Sequence, residues 1–188
     1  MSSQSWNEVL VNSTTAGTAL NAFTTAVSIL PTGDVFTLPA NFFTVGKMLR
    51  VTAAGSISNI VTGPGTITFE FKLGSVIAFN TGAMQLSTTA HTTKPFKLDI
   101  LLTCRSIGSG TSATLIGQAV MQSQCVAATA VADDTYTHAL LLAPNTAPAV
   151  GTGFASTSAL AADLYAGFSV SDSGNQVQLQ QYSLESLN

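Results

Sequence analysis

The feature that most constrains this chain is a two-residue alternation of apolar and polar side chains. In Thr66–Leu73 (TITFEFKL), Ile67, Phe69, Phe71 and Leu73 fall on one face, and Thr66, Thr68, Glu70 and Lys72 on the other. Successive side chains of an extended chain point to opposite sides, so this spacing predicts a half-buried β-strand. Residues 96–105 repeat the pattern, with Phe96, Leu98, Ile100, Leu102 and Cys104 opposite Lys97, Asp99, Leu101, Thr103 and Arg105. Residues 113–125 alternate more weakly, because Ile116 and Val120 interrupt the face that carries Thr114, Gln118, Gln122 and Gln124. Two β-branched residues on an otherwise polar face mark a candidate subunit contact.

Alternation returns at residues 160–170 and 176–187, and shorter extended stretches are expected at 26–30, 34–38, 48–58 and 75–80. Turn residues separate these runs: Pro31-Thr32-Gly33-Asp34, Thr62-Gly63-Pro64-Gly65, Gly108-Ser109-Gly110 and Asp172-Ser173-Gly174-Asn175. No stretch keeps a helical period with caps, and no repeat of solenoid length is present. Eight or nine alternating strands joined by turns predict an all-β, antiparallel two-sheet sandwich, jelly-roll-like in kind. The expected organisation is an N-terminal arm over residues 1–25, then one β domain over 26–188 in which 128–152 is a strand followed by a long irregular excursion.

Composition narrows the function. Apolar residues make up 46% of the 188-residue chain and charged residues only 8%, against about 25% charged in an ordinary soluble domain. Thr, Ser, Gln, Asn and Gly must therefore cover much of the surface, which suits a protein packed into an assembly. The formal net charge is -3, and all six Lys and Arg lie between Lys47 and Arg105 without forming a basic tract. Nucleic-acid binding is not expected, because phosphate neutralisation needs clustered cations. The N-terminus, MSSQSWNEVLVNSTT, has neither the basic nor the apolar region of a signal peptide, so synthesis in a cytoplasm is expected and the Asn12-Ser13-Thr14 sequon is read as accidental. No apolar run of about 18 residues is present, and no membrane span is expected.

Chemical motifs are sparse. Gly108–Ala113 (GSGTSA) fits a relaxed dinucleotide fingerprint, but the residues after it alternate like a strand where that fingerprint needs a helix, so a turn is expected. His91 and His138 have no ligand partners at helical spacing. Asp133, Asp134 and His138 form the one polar cluster to weigh as a cation site; solvated loop residues are the simpler account. If residues flanking Gly108-Ser109-Gly110 form a hairpin, Cys104 faces Leu115 and Cys125 lies about ten residues, roughly 30 Å, further along. Both are expected as buried thiols without a disulfide. No nucleophile, base and orienting group can be assembled from the sequence, so no catalytic residue, cofactor or metal is expected and the chain is not read as an enzyme.

Trp6 stands in the polar N-terminal segment just before Val9 and Leu10, and is read either as tucked against the domain's own edge or as an aromatic anchor for a neighbouring subunit. Trp6, Val9, Leu10, Ile116, Val120 and Tyr136, the last within 128–152, are the candidate partner-contact residues.

Four stretches resemble the jelly-roll structural proteins of tailed bacteriophages: LPANFFTVGKMLRVTAAGSIS (38–58), GPGTITFEFKLGSVIAFNTGA (63–83), TKPFKLDILLTCRSIGSG (93–110) and GNQVQLQQYSLESLN (174–188). The resemblance spans most of residues 30–188 and carries no catalytic motif. It implies a virion structural protein on the capsid surface, a homotrimer that cements neighbouring major capsid protein subunits. The alternative it implies is a receptor-binding or tail-fibre tip module.

Overall fold

The computed structural model describes residues 7–127 and 140–187. Their strands are β1 (Asn7–Asn12), β2 (Leu20–Asn21), β3 (Val27–Ser28), β4 (Phe36–Leu38), β5 (Met48–Asn59), β6 (Thr66–Leu73) and β7 (Val76–Asn80). They continue as β8 (Met84–Leu86), β9 (His91–Ser106), β10 (Thr114–Ser123), β11 (Val126–Ala127), β12 (Leu140–Ala143), β13 (Leu160–Phe168) and β14 (Gln176–Leu187). The only helical piece among the described residues is a 3-10 turn at Thr32–Asp34. The fold is an all-β sandwich of two antiparallel sheets. The first runs β1-β14-β5-β9-β10-β12, with β2 beside β14, and the second runs β11-β8-β6-β13-β3, with β4 beside β13 and β7 beside β6.

The alternation read in the sequence builds the space between the sheets. Ile67, Phe69, Phe71 and Leu73 of β6 are fully buried, as are Leu98 and Leu102 of β9 and Leu164 and Ala166 of β13. Phe69 of the second sheet meets Phe96 of the first with ring centroids 5.6 Å apart, so the two layers interlock through side chains from the clearest predicted strands. Along β14 the period slips once: a register shift between Leu179 and Gln181 leaves Gln180 and Gln181 exposed and returns Tyr182 and Leu184 to the core.

The predicted hairpin is present. β9 and β10 pair with Cys104 opposite Leu115, and Gly108 (φ 151°) and Gly110 (φ 64°) make the turn between them. Apart from that hairpin and the run β6-β7-β8, most connections cross from one sheet to the other. This connectivity is that of a jelly-roll-like sandwich.

Two expectations need adjusting, and a third is made specific. The strand count is fourteen among the described residues rather than eight or nine, because β1 belongs to the stretch read as an arm and β2, β8, β11 and β12, pieces of two to four residues, are too short to show a period. The stretch read as an N-terminal arm joins the first sheet from Asn7 onward, with β1 pairing along β14 (Asn7 opposite Leu187, Asn12 opposite Ser183) and β2 beside Val177. The stretch 128–152 contains β12, which pairs with β10, and an isolated bridge between Val150 and Ile116; residues 128–139 lie outside the described part.

Candidate contact surface

The outward face of the first sheet divides into two halves of different character. Over β14 and β5 it carries paired polar groups. Arg50 lies opposite Glu185 with their charged atoms 3.9 Å apart, and at the margin on β9 Lys97 meets Asp99 at 3.1 Å. Over β9, β10 and β12 it turns apolar. Leu101 is 39% exposed, Leu140 62%, Leu142 58% and Val150 53%, with half-buried Ile116 and Val120 among them. Register places Val120 between Asp99 and Leu142, Ile116 between Thr103 and Val150, and Gln118 beside Leu101. These apolar side chains therefore form one connected patch. Exposed apolar side chains in such a group, rather than scattered singly, mark a surface that meets something else.

Ile116 and Val120, nominated from the sequence, sit at the centre of this patch. Val9, 52% exposed, lies on the outward face of β1 opposite Glu185, at the far edge of the same sheet. Leu10, at the register shift of β1, packs partly against the core. The structure therefore does not bring the two nominated groups together; it places them on opposite margins of one sheet. Trp6 and Tyr136 lie outside the described residues, as do Asp133, Asp134 and His138. Leu140, Leu142 and Val150 were not nominated. Leu140 and Leu142 hide in the run Leu140-Leu141-Leu142, where alternation of exposure is real but alternation of residue type is absent. Leu101 was legible as the lone apolar residue on the wet face of β9.

Two buried carboxylates are held by serine hydroxyls, while the buried Tyr182 and Ser186 hydroxyls make no hydrogen bond among the described residues. Ser13 donates to Asp34, and Ser28 Oγ donates to Asp163 Oδ1 at 2.7 Å. Burial pushes the Asp163 carboxyl up, while Ser28, the Leu164 backbone and the charge of Lys72 oppose the shift. Lys72 Nζ lies 3.2 Å from Glu70 and 3.9 Å from the Tyr165 ring centroid. Tyr182 is buried in the sandwich, and its phenol is held above the ordinary tyrosine range by burial and then by the negative charges of Asp163 and Asp34. Cys104 and Cys125 are buried and unbridged, each pointing its thiol at a backbone carbonyl, of Ser106 and of Ile57. Burial raises the Cys104 pKa, so it is poorly placed to act as a thiolate. Among the described residues no group of three or more His, Cys, Asp or Glu is placed to hold a metal ion. No described helix is long and apolar enough to cross a membrane.

A recess of about 430 Å³ opens among loop and strand ends, lined by Ser58, Asn59, His91, Thr92, Ser173 and Gln176. Asn59 is fixed there by its amide, which donates to the carbonyls of Ser87 and Thr89 at 2.7 and 2.8 Å. Its lining is mixed: Ile60, Val61 and Ala90 stand among the hydroxyl and amide groups, beside the His91 imidazole.

No protein-family model matches the chain, and no curated protein matches it. Among solved structures it is similar to the CBM2 module of Lactobacillus casei BL23 phage J-1 evolved Dit, with 12% sequence identity, a TM-score of 0.34, and coverage of 99% of this chain and 98% of that one. At that distance neither fold nor function transfers from one chain to the other.

Proposed function

We propose that this chain is a non-catalytic structural protein of a tailed-phage virion, a decoration subunit that binds the assembled capsid as a homotrimer and cements neighbouring major capsid protein subunits. The observation that carries this reading is the apolar patch over β10 and β12 on the first sheet's outward face, with the charges of β9 along its margin, present on a domain whose strands β5, β6, β9 and β14 hold the phrases that resemble phage jelly-roll structural proteins. Contacts inside a shell need shape-matched surfaces whose centres are depleted of charge, and this face meets that need. The engagement of Asp34, Asp163 and Glu70 by Ser13, Ser28 and Lys72 supports a structural role over a catalytic one.

Cementing works by mass action. A subunit that binds only the assembled lattice lowers the free energy of that state by its binding free energy there, and so raises the shell's resistance to heat and internal pressure. The recess beside Asn59 favours a second reading, a recognition module at the tail tip, since a concave site of apolar groups with a few hydroxyl and amide groups among them suits a small neutral ligand. Labelling intact particles separates the two: signal over the whole shell is expected, and signal confined to the tail overturns the capsid reading in favour of the tail tip.

A further inference from the structure

We infer that copies of this chain join head to tail, the free edge of β12 in one copy pairing with the free edge of β1 in the next, so that the first sheet continues from subunit to subunit around a closed ring. Among the described residues β1 pairs only with β14, and β12 only with β10, so each strand leaves one row of backbone N–H and C=O groups without a strand partner. An exposed edge of this kind is a template for another strand. β12 (Leu140–Ala143, LLLA) is short, but it carries no charge, no internal proline and no bulge, three of the devices that keep such an edge unpaired.

Polarity makes the two edges complementary. From β1 to β12 there are five pairings, β1·β14, β14·β5, β5·β9, β9·β10 and β10·β12, and every one is antiparallel. Five reversals leave β12 running opposite to β1. A second copy set beside the first with its sheet in the same orientation therefore presents β1 antiparallel to β12, the favoured arrangement for a strand pair. The outward side chains also match across the seam: Val9 stands on the outer face of β1 and Leu140 and Leu142 on the outer face of β12. The register shift between Val9 and Val11 confines regular pairing to the start of β1, which gives a short seam suited to the four residues of β12.

Symmetry favours this contact over an edge meeting its own copy. Pairing β12 with β12 leaves both β1 edges open, and adding a β1 to β1 contact then grows an open filament. Head-to-tail pairing uses both edges of every subunit, where a two-fold dimer leaves one of them open, and it closes into a ring when the rotation between copies returns the last subunit to the first. The ring does not depend on whether capsid or tail carries the chain, so its test and the particle labelling fail independently.

The test is cross-linking of the full purified chain with a short bis-maleimide, using Val9→Cys, Leu142→Cys and the double variant. Cys104 and Cys125 are buried, so the native thiols contribute no background in the folded protein. The double variant is expected to give a denaturing-gel ladder that ends at the subunit number found by light scattering, while each single variant stays monomeric on the gel. Covalent dimers from either single variant, or a monomer by light scattering for the unmodified chain, overturn the inference. As a second measurement, Leu142→Lys places a charge on an already exposed edge position and is expected to yield a folded monomer by circular dichroism and light scattering; an undiminished oligomer overturns the inference.

Discussion

Asn175 shows how single polar residues hold this sandwich where its turns enter the core. It is fully buried; its amide nitrogen donates to the carbonyls of Pro64 at 3.0 Å and Val170 at 3.3 Å, and its Oδ1 accepts from the Ile60 backbone N–H at 3.2 Å. One side chain thus ties together the ends of β5, β6, β13 and β14. Asn175→Ala leaves three backbone groups without this partner, one buried and two partly buried, and is expected to cost about 2–4 kcal/mol, read from the urea midpoint. Asp163 gives the opposite sign. Its raised pKa means that the folded state favours the neutral carboxyl, so its contribution to stability is fully present below the unfolded-state pKa and is lost as pH rises through the folded-state value. Asp163→Asn, which keeps an acceptor for Ser28, is expected to raise the melting temperature at pH 7 and to leave it unchanged at pH 3; an equal effect at both would sink this account. The buried, unbridged cysteines predict that a thiol reagent labels two groups per chain only after denaturation, and that a reductant leaves the melting temperature where it was.

At the scale of elements, the slip in β14 and the glycine opposite it form one device. Leu179 pairs with Gly55 where the register shifts, and a Cβ at Gly55 would lie 2.1 Å from the Gln178 carbonyl oxygen and 2.8 Å from the Phe96 ring. Gly55→Ala must push β5 away from β14 or displace Phe96 from its contact with Phe69, and is expected to cost at least about 2 kcal/mol in urea unfolding. Gly33 is the contrasting position: nothing lies within 4 Å of its Cβ site, so Gly33→Ala is expected to be neutral or to stabilise by up to about 1 kcal/mol through the unfolded chain. The long elements β6, β9 and β14 were legible because each buries one face and wets the other along eight or more residues. β8 and β12 were not, since three or four residues are too few to display a period, and their extended state is imposed by the neighbours β6 and β10.

For the whole molecule, the testable consequence is a particle property. Virions assembled without the chain are expected to lose integrity at a lower temperature than complemented virions, and adding purified chain to the deficient particles is expected to restore the difference. Normal heat resistance together with a defect in adsorption to cells would instead fit the tail-tip reading. The patch that motivates the experiment belongs to no single segment: Leu101, Val120 and Leu142 come from three strands and become neighbours only when β9, β10 and β12 lie side by side. Ile116 and Val120 could be nominated from sequence because they break a polar face; Leu140 and Leu142 could not, because nothing in a run of leucines says which of them points to water.

The sequence by itself determined the all-β class, the faces of the long strands, the hairpin at Gly108–Gly110 and the separation of the two cysteines. Each of these rests on interactions within or between neighbouring segments, which residue order encodes directly. Which strands pair, that β1 closes on β14 at the other end of the chain, and that Val9 stands on an edge strand while Ile116 and Val120 stand on β10 near the opposite edge were decided by tertiary structure alone. Those choices follow from how apolar faces of similar pattern pack against one another across long loops, and several strands with the same period offer the sequence no means of telling its partners apart.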